Sequence, residues 1–303
     1  MAGRSLRPIP CARSSSIRAV FKVRDYDLAG TFTSGQAFRW QPHSDNWVGV
    51  IGQRWVRLEA HPSGITAETA EPAGDWAWLT HYLQLDVDLT SVLKTFPADE
   101  PLRAAIRACR GLRLLRQDPW ECLASFILSS TKQICQIQEI ISLLCERYGS
   151  PLPAPPAQKP MHAFPAAARL ARLSEADLRA CKMGFRAPFL LQTARLISSG
   201  AFDLGRLSTL PLESARAGLM DLPGVGRKIA DCVLLFAYGR LEAFPVDVWV
   251  AKALRELYFP RRRISLKGLH EFAAGHFGPY AGYAQQYLFH YMRVSGRNIL
   301  LSG

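Results

Sequence analysis

The sequence lacks the cysteine and histidine patterns that hold metal ions. Its seven cysteines are scattered without a CxxC pair, residues 233–303 contain no cysteine, and the seven histidines show no HExxH spacing. These absences argue against a zinc site, a disulfide framework and a C-terminal iron–sulfur cluster, and they suit a reducing compartment. We therefore predict that the protein needs neither a metal nor another cofactor.

Long apolar runs and acidic residues are also scarce. No apolar stretch approaches the ~20 residues of a membrane-spanning helix. Aspartate and glutamate number 25 against 37 lysines and arginines, which leaves a net charge of +12. A polyanionic partner is favoured, although the charge alone also fits a membrane surface or simple solubility. We predict a monomer in solution, in the cytoplasm or nucleoid of a bacterium or in the nucleus of a eukaryote.

The 303 residues, 49% of them hydrophobic, are enough for two or more domains. Patterns typical of strands dominate residues 1–98, where two runs around Gly52 predict a β-hairpin. Helical periodicity takes over in residues 99–303. The sequence therefore predicts an α+β fold, with an N-terminal antiparallel sheet domain followed by an all-α domain. The predicted strands are Trp47–Ile51, Trp55–Glu59 and Ile65–Ala70, and one of the predicted helices is Leu170–Cys181.

The first 24 residues contain no acidic residue, a composition that a transit peptide would share. Pro8 and Pro10 disfavour the amphipathic helix of such a peptide. We therefore expect a short basic tail that leads into the sheet domain.

The segment LPGVGRKIADC, residues 222–232, is typical of a tight turn that opens a helix. Gly224 and Gly226, on either side of Val225, allow positive φ and a close approach of a ligand to the backbone. The amide groups at the start of the following helix would bind an anion, as a helix–hairpin–helix binds a nucleic-acid phosphate. A corner whose glycines serve packing alone is the alternative. The predicted hairpin unit spans residues 212–239, with its first helix at Leu212–Met220.

Lys228 and Asp247 form a candidate catalytic pair. Lys228 lies in the first turn of the second helix, where the helix dipole and the neighbouring Arg227 both favour its neutral, nucleophilic amine, as imine chemistry requires. Asp247 opens a third helix, and capping that helix is its alternative role. A second helix of about 12 residues and about seven extended residues after it let the two side chains share one pocket.

These motifs resemble the helix–hairpin–helix DNA glycosylases that end their motif in Gly/Pro and Asp, and most closely their 8-oxoguanine DNA glycosylase branch. The resemblance implies an enzyme that flips 8-oxoguanine out of double-stranded DNA and excises it, with β-elimination through a Lys228 Schiff base. Further segments that match in order across nearly the whole chain are Ile9-Pro10-Cys11, Ser34–Trp40 (SGQAFRW), Gln84-Leu85-Asp86, Gln117-Asp118-Pro119 with Glu121-Cys122, Gly184–Ala187 (GFRA) and Gly278–Gln285 (GPYAGYAQ).

The resemblance also implies a pocket for the flipped base. In it the Gly35 carbonyl reads the altered N7 position of the damaged purine, Cys232 and Phe289 sandwich the base, and Gln285 meets its Watson–Crick edge. Stacking suits any base, so the hydrogen bonds carry the discrimination. Without the resemblance, Gly35 would be a turn residue and Phe289 a core residue.

Several residues are predicted to contact DNA outside this pocket. Phe185 beside Arg186 is the aromatic–cation pair expected where a side chain replaces an extruded base and touches its orphaned partner. A buried phenylalanine with a surface arginine explains the pair equally well. Three sites depart from the family pattern: Thr131-Lys132 replace an Asn-Asn pair that fills the vacated stack, Gln136 replaces an arginine that contacts the orphaned cytosine, and Trp249 replaces a histidine.

Two other functions stay open at this point. A non-catalytic helix–hairpin–helix DNA-binding protein would use the hairpin alone, but gripping a phosphate needs no amine paired with a distant aspartate. A glycosylase for another damaged base, such as an alkylated purine, would not need a lysine nucleophile, because a cationic base already leaves readily. A class I aldolase would need a Schiff-base lysine, but it expects alternating strands and helices that the sequence does not show.

Overall fold

The computed structural model describes residues 17–130, 132–156 and 158–301, and it begins with a five-stranded antiparallel sheet. In space the strands follow the order β1-β5-β4-β3-β2. The matching segment Ile9-Pro10-Cys11 and the basic tail up to residue 16 lie outside the described residues. The strands are β1 (Arg18–Phe21), β2 (Gln41–His43), β3 (Asn46–Ile51), β4 (Arg54–His61) and β5 (Gly64–Thr69).

The β3–β4 hairpin turns at Gly52, where the sequence predicts it, and this glycine has a φ of 58°. The two-residue side-chain period of the strands buries Val56 and Leu58 completely. They share a core with Phe32 and Trp40, whose rings stack with centroids 4.1 Å apart. The sheet therefore encloses its own hydrophobic core.

The rest of the chain is helical, which confirms the predicted α+β fold. Short 3₁₀ turns precede α9, α10 and α14, at Gly184–Arg186, Gly205–Ser208 and Gly278–Tyr280. The helices are α1 (Leu28–Thr33), α2 (Ala77–Leu83), α3 (Leu89–Leu93), α4 (Glu100–Ala108), α5 (Pro119–Ser129), α6 (Ile134–Tyr148), α7 (Ala167–Leu170), α8 (Glu175–Arg179), α9 (Ala187–Ser198), α10 (Leu212–Met220), α11 (Arg227–Phe236), α12 (Val248–Tyr258), α13 (Leu266–His276) and α14 (Ala281–Leu301).

The prediction of one helix over Leu170–Cys181 is wrong, because α7 ends at Leu170 and α8 begins at Glu175. Ser174 Oγ accepts the Asp177 N–H at 3.2 Å, and the Asp177 carboxylate accepts the Ser174 N–H at 2.8 Å. This capping box starts a new helix. The helical spacing of apolar residues continues across the break between α7 and α8, and for this reason the sequence predicted one helix.

The described residues form two hydrophobic cores, a smaller one that includes the sheet and a larger one among the helices. The two cores draw on overlapping parts of the sequence, because Phe96 packs in the helical core whereas the later residue Leu115 packs in the sheet core. The predicted domain boundary at residues 98 and 99 stays a prediction. Loops of the sheet part reach the helices that carry the candidate site.

Candidate active site and nucleic-acid interface

Helices α10 and α11 and their connecting turn form the predicted helix–hairpin–helix. Gly224 has a φ of 75°, and a Cβ there would lie 2.7 Å from the Phe189 ring, so the turn requires glycine. Val225 is buried and anchors the turn in the helical core. Gly224 therefore serves close packing as well as the positive φ of the turn. The packing role, which was the alternative interpretation of these glycines, is present at this position.

Gly226 departs from the prediction of positive φ. It is the N-cap of α11 with a φ of −94°, an extended conformation open to any residue. Among the described residues, a Cβ on Gly226 would meet nothing within 4 Å, and no side chain caps α11. The first amide groups of α11 therefore have no intrahelical acceptor and lie beside open space, an arrangement that suits an anion.

A buried ion pair holds the two hairpin helices together. Arg216 Nε lies 2.6 Å from Asp231 Oδ1, and the two side chains are only 6% and 1% exposed. Glu213 binds the same guanidinium, and Arg227 approaches Asp231 at 3.8 Å. Asp231 therefore offsets part of the like charge that the sequence places beside Lys228.

Lys228 is half-buried and reaches across to α5. Its Nζ donates to Ser129 Oγ at 3.3 Å and lies 5.2 Å from the centre of the Phe126 ring. These two contacts hold the amine in place at the start of α11. The sequence analysis missed both partners, although Ser129, the last residue of α5, begins a run of four polar residues, Ser129–Lys132, that was an available signal.

Asp247 caps α12, and its Oδ1 accepts the Val250 N–H at 2.8 Å. The capping role is therefore present in the structure. Its other oxygen, Oδ2, makes no hydrogen bond within the described part of the chain. One carboxylate can thus cap the helix through one oxygen and face a ligand through the other.

Cys232 lies one turn after Lys228 on α11, and its thiol is influenced by the charges of both Lys228 and Asp247. Burial raises the pKa of the Cys232 thiol to about 12, while the charge of Lys228 lowers it and that of Asp247 raises it further. Both charges therefore act on the same buried sulfur. The thiol stays neutral and offers an apolar, polarisable surface to a flat ligand.

Gly35 and Phe289 meet although they belong to opposite ends of the chain. Gly35 has a φ of 77°, and a Cβ on it would lie 2.8 Å from Ile134 Cδ1 and 3.3 Å from Phe289 Cε1. A larger residue would strain the backbone and press against both side chains. The structure therefore brings the Gly35 backbone to the edge of the Phe289 ring.

Gln285 lies one helical turn before Phe289 on α14 and is 4% exposed. Its side-chain carbonyl oxygen, Oε1, has no hydrogen-bond donor among the residues that the structure describes. An unsatisfied buried acceptor costs roughly 1–3 kcal/mol. A ligand that presents N–H groups at this point would remove that cost.

Two glutamines fix the loop that carries Gly35. Gln286 Nε2 donates to the Ser34 carbonyl at 2.8 Å, which ties the loop to α14. Gln36 is fully buried, and its Oε1 accepts the Leu115 N–H at 2.8 Å. The loop that carries Gly35 is therefore fixed both to α14 and to the segment that contains Leu115.

Arg293, one helical turn after Phe289 on α14, also contacts the segment that leads into the Gly35 loop. Its Nη1 donates to the Thr33 carbonyl at 3.0 Å, and its Cζ lies 5.4 Å from the centre of the Phe289 ring. The sequence analysis missed Arg293 and Gln286. The spacing of Phe289 and Arg293, i and i+4 on one helix, was the available signal.

Phe185 and Arg186 do not fit the alternative of a buried phenylalanine beside a surface arginine, because Phe185 is the more exposed of the two. The Phe185 side chain is 54% exposed, and Arg186 Cζ lies 4.5 Å from the centre of its ring. Burial lowers the pKa of the Arg186 guanidinium, and Arg186 Nε has no acceptor among the described residues. An exposed ring beside a cation with an unused N–H is suited to contact a base.

The other predicted DNA contacts have mixed surroundings. Lys132 is partly buried in the turn after α5, and Thr131 lies outside the described residues. Gln136 Oε1 accepts the Gln133 N–H at 3.0 Å, so this side chain helps to cap α6. Trp249 is 42% exposed in the first turn of α12. Their contact with DNA stays a prediction.

Within residues 17–130, 132–156 and 158–301, no group of three or more histidine, cysteine, aspartate or glutamate side chains could hold a metal ion. None of the helices in those ranges combines the length and apolar character needed to cross a membrane. The cysteines described there are all free thiols.

Known proteins share both parts of this architecture. Residues 18–123 match the N-terminal domain of 8-oxoguanine DNA glycosylase, and residues 124–273 match the HhH-GPD superfamily base excision DNA repair protein. The N-glycosylase/DNA lyase OGG1 of Arabidopsis thaliana is 31% identical over 277 residues, which cover 86% of this chain and 75% of that protein. A probable N-glycosylase/DNA lyase of Methanothermobacter thermautotrophicus is 32% identical over 222 residues, or 67% of this chain and 70% of the relative.

A solved structure extends the match to three dimensions. The 8-oxoguanine glycosylase/lyase of Clostridium acetobutylicum, in complex with double-stranded DNA containing cytosine opposite 8-oxoguanine, superposes with a TM-score of 0.85 at 30% identity. The superposition covers 94% of this chain and all of the other. On these matches, and with its N-terminal sheet and its helix–hairpin–helix, this chain belongs to the 8-oxoguanine DNA glycosylase family, enzymes of base excision DNA repair within the HhH-GPD superfamily.

Proposed function

We propose that this protein flips 8-oxoguanine out of duplex DNA, excises it, and then cleaves the strand at the abasic site through a Schiff base on Lys228. The observation that carries the proposal is the Lys228 amine, which Ser129 and Phe126 hold at the start of α11 and whose charge acts, with that of Asp247, on the buried Cys232 thiol. The names of the related N-glycosylase/DNA lyases support both steps.

Recognition of the base follows from the donors and acceptors of the pocket. The Watson–Crick edge of 8-oxoguanine presents two N–H groups, and the unsatisfied Oε1 of Gln285 is a buried acceptor for them. Oxidation at C8 also places a hydrogen on N7, which guanine lacks. A Gly35 carbonyl aimed at that position would accept it, and this contact would separate the lesion from the normal base.

The chemistry needs a nucleophile and an anion. Lys228 Nζ attacks C1′ as the bond from C1′ to the base breaks, and the base departs with the bonding pair and takes up a proton. Positive charge develops on the sugar, and the Asp247 carboxylate stabilises it. Loss of a proton from Nζ and opening of the sugar ring give an imine. Removal of a C2′ proton then expels the 3′ phosphate, and water later releases Lys228.

Borohydride tests the proposal, because it reduces the imine to a stable amine and leaves the protein attached to DNA. We expect a covalent complex with a duplex containing 8-oxoguanine opposite cytosine, and much less with the guanine duplex. Lys228→Gln should abolish the complex, whereas Lys252→Gln, a matched change at an exposed lysine without a predicted DNA contact, should retain it. An adduct mapped by mass spectrometry to another lysine, or to the N-terminal amine, would refute the assignment.

A further inference from the structure

A groove of about 680 Å³ lies beside the hairpin and shares Lys228 with the proposed active site. Gly226, Arg227 and Lys228 at the start of α11 form one wall. Lys267 and His270 of α13 line the other. The groove therefore begins at the uncapped amide groups of α11 and ends on a helix that the sequence analysis did not connect with DNA.

The charge of this groove is predominantly positive. Arg227 and Lys267 line it together with the Lys228 amine, and Glu271 is the one acidic residue among the described residues of the lining. Glu271 lies 3.8 Å from Lys267, but both side chains are well exposed, so their pairing is weak. An anion is the ligand that complements such a lining.

His270 is half-buried in the second wall, and neither of its ring nitrogens is hydrogen-bonded to another described residue. Burial, together with the charges of Arg227 and Arg216, lowers the pKa of its imidazole. The free protein therefore carries a neutral His270 at neutral pH. The charged groups around it are Arg216 from α10, Arg227 and Lys228 from α11, and Lys267 and Glu271 from its own helix.

We propose that α13 forms the second wall of a DNA-backbone groove, in which Lys267 and His270 bind a phosphate that faces the start of α11. This inference rests on the DNA binding proposed above and adds a contact beyond the hairpin. Because the phosphate favours the protonated imidazole, binding takes up a proton. The added affinity is complete below the pKa of His270 in the free protein and disappears as the pH rises through its pKa in the complex.

Anisotropy titrations with an undamaged labelled duplex test the groove without involving the lesion. Lys267→Ala should lower the slope of log K against log salt by about 0.9, so the wild-type advantage shrinks about threefold between about 50 and 200 mM salt. Lys252→Ala is the matched control, because Lys252 also lies 3.8 Å from a glutamate one turn away but outside the groove lining. It should keep the wild-type slope.

Two changes at position 270 isolate the proton. Wild-type affinity should fall by up to about tenfold from pH ~6 to ~8, the limit for a tenfold change in proton affinity. His270→Asn should be weak and nearly flat over this range, whereas His270→Lys should be tight and nearly flat. A His270→Asn protein that keeps the wild-type pH profile, or a Lys267→Ala protein that keeps the wild-type slope, would overturn the inference. If the wild-type protein bound no duplex at all, the proposed function would fail with it.

Discussion

Replacing Asp247 by asparagine separates its two roles. Asparagine caps helices about as well as aspartate, so the Val250 N–H keeps an acceptor at the position where Asp247 Oδ1 now lies 2.8 Å away. We expect the free energy of unfolding to change by less than ~0.5 kcal/mol. Asp247→Ala, which loses the cap entirely, should cost about 1 kcal/mol.

The effect of Asp247→Asn on chemistry should be far larger. A unit charge about 4 Å from the positive charge on the sugar contributes about 4 kcal/mol at an effective dielectric constant near ~20. Its loss corresponds to roughly a thousandfold lower rate of base release. Affinity for the duplex should change little, because the carboxylate acts on charge that develops only in the transition state.

Single-turnover base release from an 8-oxoguanine·cytosine duplex, with urea denaturation of the same proteins, measures both effects. Asp118→Asn is the matched control, because Asp118 caps α5 in the same way and accepts the Glu121 N–H at 2.9 Å. It should release the base at the wild-type rate. If Asp247→Asn also works at that rate but unfolds more easily, Asp247 is a helix cap and nothing more.

Two further predictions concern the opposite strand and the hairpin. Arg186 remains, but Gln136 supplies a neutral amide and Thr131-Lys132 supply a hydroxyl and a point charge, so selectivity for cytosine opposite the lesion should be weak, with adenine and thymine also processed. Single-turnover rates on four duplexes that differ only in the base opposite the lesion check this prediction. The triple variant Gln136→Arg, Thr131→Asn and Lys132→Asn should restore the preference for cytosine. A wild-type protein that accepts only cytosine would contradict the prediction. Asp231→Asn should destabilise the fold by about 3 kcal/mol, since it leaves the 6%-exposed Arg216 without its buried partner. A urea midpoint unchanged from wild type would show that Glu213 suffices to neutralise Arg216.

Local patterns made much of this protein predictable. The hairpin turn at Gly52, the helix Leu212–Met220 and the N-terminal position of Lys228 in α11 depend on residues within a few positions of one another. Periodicity and turn chemistry report such short-range structure directly. The same dependence explains the failure at Leu170–Cys181, where apolar spacing outweighed the capping signal of Ser174 and Asp177.

The sequence by itself determined the basic charge, the α+β order of elements, the hairpin and the Lys228–Asp247 spacing. Only the tertiary structure decided that Ser129 and Phe126 hold the amine, that Gly35 lies beside the Phe289 ring, and that Gln285 keeps an acceptor without a donor among the described residues. It also decided that His270 lines a groove with the hairpin. The physical reason is range: a helix or turn follows from interactions between near neighbours, whereas a pocket depends on which distant surfaces pack together and which polar atoms that packing leaves without partners.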